Sequence, residues 1–243
     1  MNVYETDKLL AEYLLFHYGA EDEILPADTA WPVGMREALG FPVRTVAHFG
    51  DVSARRGLDL GCAVGRSAFE MARICDEVTG IDFSQSFIRA AADLASGKEI
   101  SYRRHDEGNR TTNLTARAPA GNSSGRILFQ QGDAMNLPET LGTFDRVHVA
   151  NLLCRLPEPL ALLRRLPSLV EPGGILVLAT PCTWLAEFTP PENWPAGSTL
   201  DWLTENLGAS FDLESQCDEP FLIRETGRKF QWSRSLVTVW NRR

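Results

Sequence analysis

The stretch Leu58–Ser67, LDLGCAVGRS, constrains the fold more than any other part of the chain. Residues 57–61 form an apolar run that reads as a buried strand. Gly61, Ala63 and Gly65 then fall on alternate positions, and residues 66–75 read as the helix that follows. A strand that passes through a turn of small residues into a helix is the first half of a βαβ unit. Small residues there let a ligand lie close to the backbone. Two ligand classes suit such a turn: a phosphate held at the helix N-terminus, or an amino acid and a ribose laid along the loop.

The same pattern continues downstream. EVTGID (77–82), RILFQQGDA (126–134), FDRVHVAN (144–151) and ILVLAT (175–180) read as four further strands. Ser84 to Ala95 reads as a capped helix, and PLALLRRLPSLV (159–170) as a helix ended or interrupted near Pro167. Residues 4–18 carry apolar positions at mostly helical spacing, with Asp7 as a cap and Gly19 as a stop. Pro26, Pro32 and Pro42 mark residues 20–45 as a lid-like segment. Residues 211–217 and 235–241 can pair as a long hairpin around RETGRKFQ. Strands alternating with helices predict a mostly parallel sheet with helices on both faces and an antiparallel C-terminal hairpin. The polar stretch 98–125, rich in Gly, Asn, Ser and Thr, reads as a mobile insertion. The expected organisation is a single domain over 1–243, with residues 1–50 as an N-terminal cap helix and lid.

Composition narrows the function classes. A net charge of −8 disfavours binding nucleic acid or an anionic membrane through charge alone. The five cysteines form no C-x-x-C pair and the four histidines are far apart in sequence, so no disulfide framework or metal-ligand spacing is expected. No apolar run approaches the ~20 residues of a membrane-spanning helix, and MNVYETDKLL does not read as a signal peptide, so a cytoplasmic protein is expected.

Acidic residues choose between the two ligand classes. In an open α/β sheet ligands bind beyond the carboxyl ends of the strands, where the strand order reverses. Asp59 precedes the glycine turn, Asp82 ends the second strand 21 residues after Gly61, and Asp133 follows the third. A carboxylate about 20 residues past such a turn can accept from both ribose hydroxyls, in dinucleotide sites as in others. The turn here is G-x-A-x-G rather than G-x-G-x-x-G, and it follows an acid, which suits S-adenosylmethionine better than a pyrophosphate. Asp59 suits the cationic end of that cofactor. Asp82 suits the ribose and Asp133 the adenine amino group, with Phe83 and Ala134 beside them. Ala63 is tolerable at its position if its φ is negative. Taken singly, Asp82 is also a helix cap and Asp133 a turn residue. Together, within βαβαβ, they point to a class I (Rossmann-like) methyltransferase that turns S-adenosylmethionine into S-adenosylhomocysteine by in-line transfer.

Substrate handling falls to residues expected at the same edge. Asn151 and Arg155 follow the fourth strand. Trp184, Phe188 and Trp194 follow the fifth and can wall a pocket. Arg224 and Arg228 on the hairpin tip can pair with a substrate carboxylate. Tyr4 and His17 belong to the N-terminal helix that covers such sites. Asn151 and Tyr4 are the expected catalytic residues, with Asn151 also beside the cofactor. Cys154 and Cys182 are expected to pack rather than to do redox chemistry.

Four blocks, YETDKLLAEYLLFHYG, LDLGCAVGRSAFEMAR, TPCTWLAEFTPPENW and IRETGRKFQWS, together resemble the methyltransferase domain of ovothiol biosynthesis. The resemblance runs from residue 4 to 240. It implies the seven-stranded class I methyltransferase fold. It also implies methylation of 5-thiohistidine (4-mercaptohistidine) on the imidazole π-nitrogen to give ovothiol A. In that family the domain is commonly the C-terminal part of an enzyme that carries an iron-dependent sulfoxide synthase. A chain starting at the methyltransferase would draw thiohistidine from a separate sulfoxide synthase and lyase. Another small amine, thiol or histidine derivative as acceptor, or a non-catalytic cofactor-binding role, remain the alternatives at this point.

Overall fold

The computed structural model describes residues 3–121 and 126–243. The end of the expected insertion, 122–125, lies outside the described residues, as do residues 1–2. A sheet of seven strands runs in the order β5-β2-β1-β6-β7-β9-β8. Its strands are β1 (Ala54–Leu60), β2 (Cys75–Asp82), β5 (Ile127–Gln131), β6 (Phe144–Ala150), β7 (Val170–Thr180), β8 (Phe211–Arg224) and β9 (Phe230–Arg242). The pairs β1–β2, β1–β6, β2–β5 and β6–β7 are parallel, and β9 is antiparallel to both β7 and β8. The fold is the Rossmann-like methyltransferase architecture expected from the sequence, and the C-terminal hairpin is longer than expected.

Alternation of side chains assigns the faces. On β7, Leu176 and Leu178 join the core with Leu162, Leu163 and Leu203, while Val177 and Ala179 join Val46, Ala68 and Met71. Helices α6 (Pro159–Arg165) and α7 (Thr199–Leu207) therefore cover one face. Helices α3 (Phe41–Ala47), α4 (Arg66–Met71) and α5 (Gln85–Ala95) cover the other. On β1, Leu58 and Leu60 point to the α6–α7 side, which leaves Asp59 on the α3 side.

Local chemistry explains the element ends. Helix α5 starts where the Ser84 side chain accepts from the Phe87 N–H, and its apolar stripe Phe87, Ile88, Ala91 and Leu94 is buried. Helix α6 opens with Pro159 in its first turn and gives way to a 3₁₀ turn at Leu166–Ser168, which contains Pro167. Helix α1 (Asp7–Tyr18) is capped by Thr6, one residue before the expected Asp7. It stops at Gly19, where a Cβ would meet the Leu15 carbonyl at 2.6 Å.

The insertion is a correction. Residues expected to be mobile form an antiparallel hairpin, β3 (Ile100–Glu107) and β4 (Arg110–Ala116), closed by the two residues Gly108 and Asn109. Gly108 has φ +54°, as a two-residue hairpin turn requires. The hairpin is polar outside, but Tyr102 and Ala116 are buried in the cluster that holds Leu14, Leu15 and Phe87. Arg104 donates to the Glu23 carbonyl of the short helix α2 (Glu21–Ile24), and the Gly227 N–H donates to the Asp106 carbonyl at 3.0 Å. The insertion thus braces α1, α2 and the tip of the β8–β9 hairpin.

Candidate functional site

The strand order reverses between β1 and β6, which opens a crevice beyond their carboxyl ends. Among the described residues, three non-glycines have left-handed backbone: Ala63 (φ +47°) after β1, Asn151 (φ +53°) after β6 and Cys182 (φ +55°) after β7. Each sits just past the end of one of three neighbouring strands. Such conformations cost ~1–3 kcal/mol and collect at functional sites. The sequence reading required a negative φ at Ala63 for alanine to be tolerable; the structure corrects this, since the turn demands the left-handed conformation there. Gly61 and Gly65 are also left-handed, at φ +72° and +88°. A Cβ on Gly65 would meet the Phe129 ring at 2.6 Å. The loop lies on the end of β2, with the Gly61 and Cys62 N–H groups both donating to the Ile81 carbonyl.

Asp59 is 1% exposed and faces His148 across the β1–β6 pair. One carboxylate oxygen lies 2.8 Å from His148 Nδ1, and His148 Nε2 lies 3.0 Å from the Thr45 hydroxyl on α3. Thr45 in turn donates toward the Phe41 carbonyl. The second Asp59 oxygen, Oδ2, is buried without a hydrogen-bond partner among the described residues. A buried carboxylate with one oxygen anchored and one unpaired is a receptor for a cation. His148 and Thr45 escaped the sequence reading. A histidine inside the apolar strand VHVA was the signal, because a polar side chain there must find a partner.

Asp82 binds the loop to the next turn. Its oxygens accept from the Ala63 N–H and the Ser84 N–H, each at 2.9 Å. Burial outweighs these donors and pushes its carboxyl up to about 6. Both oxygens keep a lone pair for further donors. Phe83 beside it is 61% exposed, a bare aromatic face, and its carbonyl accepts from Gln131 Nε2. Asp133 uses one oxygen to accept from the Met135 N–H, as a turn residue does, and Ala134 is buried behind it.

The other wall comes from the N-terminal segment. The Tyr18 hydroxyl donates to the Val64 carbonyl at 2.7 Å, and Arg66 donates to the His17 carbonyl, so α1 is fastened to the glycine loop. Tyr4 packs edge-on against Phe87 and Tyr13. Burial raises the Tyr4 hydroxyl's pKa, and Arg155, Asp82, Cys154 and Glu187 lie close enough to act on it. Tyr13 is raised in the same way within the field of Tyr4, Asp82 and Arg155. Asp82 and Arg155 therefore lie within electrostatic reach of both Tyr4 and Tyr13. Asn151 Oδ1 accepts from the buried Ser235 hydroxyl at 2.6 Å, which turns the amide NH₂ outward as a donor. Burial, helped by Arg66, pushes His17 down to about 3, so it is a neutral and weak base. Cys154 is buried, as its packing role predicts, but Cys182 is exposed at the end of β7 and does not pack.

Two predicted substrate residues fall elsewhere. Arg224 is 5% exposed, and its guanidinium donates to the carbonyls of Glu23, Ile24, Thr226 and Gly227. It is a clamp between α2 and the hairpin tip, with its donors already taken. Arg228 is exposed on that tip, next to Gly227. Trp184 gives its indole N–H to Thr199 and meets Trp202 edge-on, which makes it packing for α7. Phe188 lies beneath the Arg155 guanidinium at 4.7 Å, and Trp194 donates to the Thr189 carbonyl. Tyr13 and Ser235, which neighbour Tyr4 and Asn151, are residues that spacing did not single out.

The family described as "Methyltransferase domain" matches residues 35–216. A ubiquinone biosynthesis O-methyltransferase of Xanthomonas euvesicatoria is 30% identical over 132 residues, 54% of this chain and 44% of that protein. The chain thus spans under half the length of the curated relatives it matches. The N-methyltransferase NodS of Bradyrhizobium japonicum, solved in complex with S-adenosyl-L-homocysteine, has a TM-score of 0.55 at 16% identity, covering 96% of this chain and 98% of NodS. The YcgJ protein of Bacillus subtilis has a TM-score of 0.55 at 12% identity, covering 84% of this chain and 98% of YcgJ. Among the described residues no helix is long and apolar enough to cross a membrane.

Proposed function

Because the chain belongs to the methyltransferase domain family and is an S-adenosylmethionine-dependent enzyme, we propose that it methylates the imidazole π-nitrogen of 5-thiohistidine, giving ovothiol A. The residues at the crevice fit the cofactor. The unpaired Asp59 oxygen suits its ammonium group, Asp82 its ribose hydroxyls and the exposed Phe83 ring its adenine. Gly61, Ala63 and Gly65 keep side chains out of its way, and Asp133 and Ala134 stand at the adenine end. When bound, S-adenosylmethionine supplies a methyl group on a cationic sulfur.

The observation that carries the acceptor is the convergence of the four resembling blocks. Tyr4, Leu14 and Leu15 of the first, Val64 and Phe69 of the second and Phe230 of the last share one apolar cluster. Glu187 of the third lies in the electrostatic reach of the Tyr4 hydroxyl. The crevice offers the groups this acceptor needs. The Asn151 NH₂, held by Ser235, can fix the distal imidazole nitrogen and so choose the tautomer. Among the described residues the Arg155 side chain makes only long hydrogen bonds, 3.4 and 3.5 Å, to carbonyls, and it lies over the Phe188 ring. It is thus the cation available to a carboxylate or thiolate, the role first given to Arg224. Tyr4 and Tyr13 close the space from the α1 side and limit how the ring turns. Orientation by these groups must keep the thiolate, itself a good nucleophile, off the methyl axis.

A second reading, O-methylation of a phenolic acceptor, is favoured by the curated relative in ubiquinone biosynthesis. One experiment separates them. The purified chain is incubated with S-adenosylmethionine and either 5-thiohistidine or a catechol, and the methyl position is mapped by NMR. A π-N-methyl product is expected from thiohistidine and none from catechol. S-methylation, catechol methylation alone, or turnover of neither would overturn the proposal.

A further inference from the structure

A second group of chemistry-bearing side chains lies on the α3 face of the sheet, where no crevice residue needs it. Cys217 and Glu219 are two apart on β8 and so point the same way, toward the end of α3. His48, the cap of α3, reaches across to them. His48 Nε2 is 3.1 Å from Glu219 Oε1 and 3.9 Å from Cys217 Sγ, and all three ligand atoms lie within 4.8 Å of one another. Sequence separation hid the group: His48 is 169 residues from Cys217.

We propose that His48, Cys217 and Glu219 form a site for a divalent metal ion of the zinc class, which staples α3 to the edge strand β8. The first reason is geometric. Zinc bound at its usual ligand distances sets nitrogen–oxygen and sulfur–nitrogen edges of roughly 3.3 and 3.6 Å in a tetrahedron. The observed 3.1 and 3.9 Å each lie within a few tenths of an ångström of these, and the sulfur–oxygen edge, at most 4.8 Å, closes by rotation of the exposed Cys217 side chain. Second, one imidazole, one thiolate and one carboxylate are a borderline-soft set that suits zinc or cobalt and not magnesium or calcium. Third, the carboxylate is already oriented. Arg44 Nε donates to Glu219 Oε2 at 2.8 Å, which leaves Oε1 on the His48 side, as an outer partner of a metal-ligating carboxylate does. Glu219 and His48 are half-buried and Cys217 is exposed, so an ion can enter from solvent and keep water as a fourth ligand. The Cys217 thiol proton is released to solvent as the metal–sulfur bond forms. The staple would bear on Asp59, because the same helix carries Thr45, the outer end of the Asp59–His148 relay.

Cobalt(II) titration of the full chain after chelator treatment tests this. Saturation at one ion per chain is expected, with a near-ultraviolet sulfur-to-cobalt band and the intense visible bands of a tetrahedral ion, both lost on adding zinc. Cys217→Ser should abolish the near-ultraviolet band, His48→Gln should weaken cobalt binding at least about tenfold, and Cys182→Ser should leave both unchanged. Zinc should also raise the melting temperature of the wild type by about 5 °C and leave that of Cys217→Ser where it was. Absence of a saturable spectrum, or a sulfur band that survives in Cys217→Ser, would overturn the site. Circular dichroism of each variant separates lost binding from lost folding.

Discussion

Asp82 holds two structures at once, the glycine loop and the start of α5, and in the proposed site its ionisation governs both stability and binding. Burial raises its carboxyl from 3.8 to about 6. A carboxyl raised on folding holds its proton more tightly in the native state. Its contribution to stability is therefore full at low pH and is lost as pH rises through about 6. Cofactor binding runs the other way, because ribose hydroxyls donate to the ionised form. Calorimetry should show S-adenosylhomocysteine affinity falling about fivefold between pH 6 and pH 5. Asp82→Asn should bind weakly at every pH with that dependence gone; an unchanged affinity would remove Asp82 from the site. At Ala63 the methyl group sits in a conformation that costs an L-residue ~1–2 kcal/mol. Ala63→Gly relieves that strain and gives back ~0.4–1 kcal/mol of unfolded-state freedom. The expected net gain of roughly 1 kcal/mol raises the melting temperature by about 3 °C in a scanning experiment.

Elements are joined by buried polar links rather than by apolar contact alone. Asp59, His148 and Thr45 connect β1, β6 and α3 in one chain of hydrogen bonds. His148→Phe leaves the Asp59 carboxylate buried with no partner. It should destabilise the protein by ~3–5 kcal/mol, read from the denaturation midpoint. Thr45→Val, which breaks only the outer link, should cost about 1 kcal/mol. Arg224 links α2 to the β8–β9 turn through four carbonyls. Arg224→Met should cost ~2–3 kcal/mol and leave S-adenosylhomocysteine affinity within about twofold, since these bonds are structural. A large loss of cofactor affinity with unchanged stability would return Arg224 to the site. The elements also show what a linear reading can hold. The βαβ run, the capped α5 and the C-terminal hairpin were legible from periodicity and caps. The β3–β4 hairpin was legible too, in the Gly108-Asn109 pair, but its polar outer face masked it. Arg224 was misassigned because a charged residue on a turn shows its charge and not which carbonyls surround it.

Over the whole molecule, the N-terminal segment, the insertion and the hairpin tip form a continuous brace above the crevice. Tyr18 fastens α1 to the loop, Arg104 and Arg224 both reach the Glu23 carbonyl, and Gly227 reaches Asp106. Cofactor binding at the loop should therefore stabilise the brace. At about 100 times its dissociation constant, S-adenosylhomocysteine should add ~2.7 kcal/mol to unfolding. That corresponds to a rise of about 5–10 °C in melting temperature for a chain of this size. Tyr18→Phe cuts the tie to Val64 and should lower that affinity several-fold. It should also raise hydrogen exchange along α1 without altering exchange in β6 and β7. Equal exchange in α1 would show that apolar packing alone holds the helix down.

What the chain fixes locally is the alternation of strand and helix, the turn of small residues after β1 and the acids at the strand ends. These follow from side-chain periodicity and backbone conformational preference, both set within ten or so residues. Tertiary structure alone decided which polar groups are free to act. Asp59 and His148 are 89 residues apart, and His148 and Thr45 are 103 apart. Whether a carboxylate, amide or guanidinium is spent on the scaffold or left for a ligand depends on the neighbours that folding brings. Burial makes that pairing obligatory, and so the same residue type is loosely bonded at Arg155 and a clamp at Arg224.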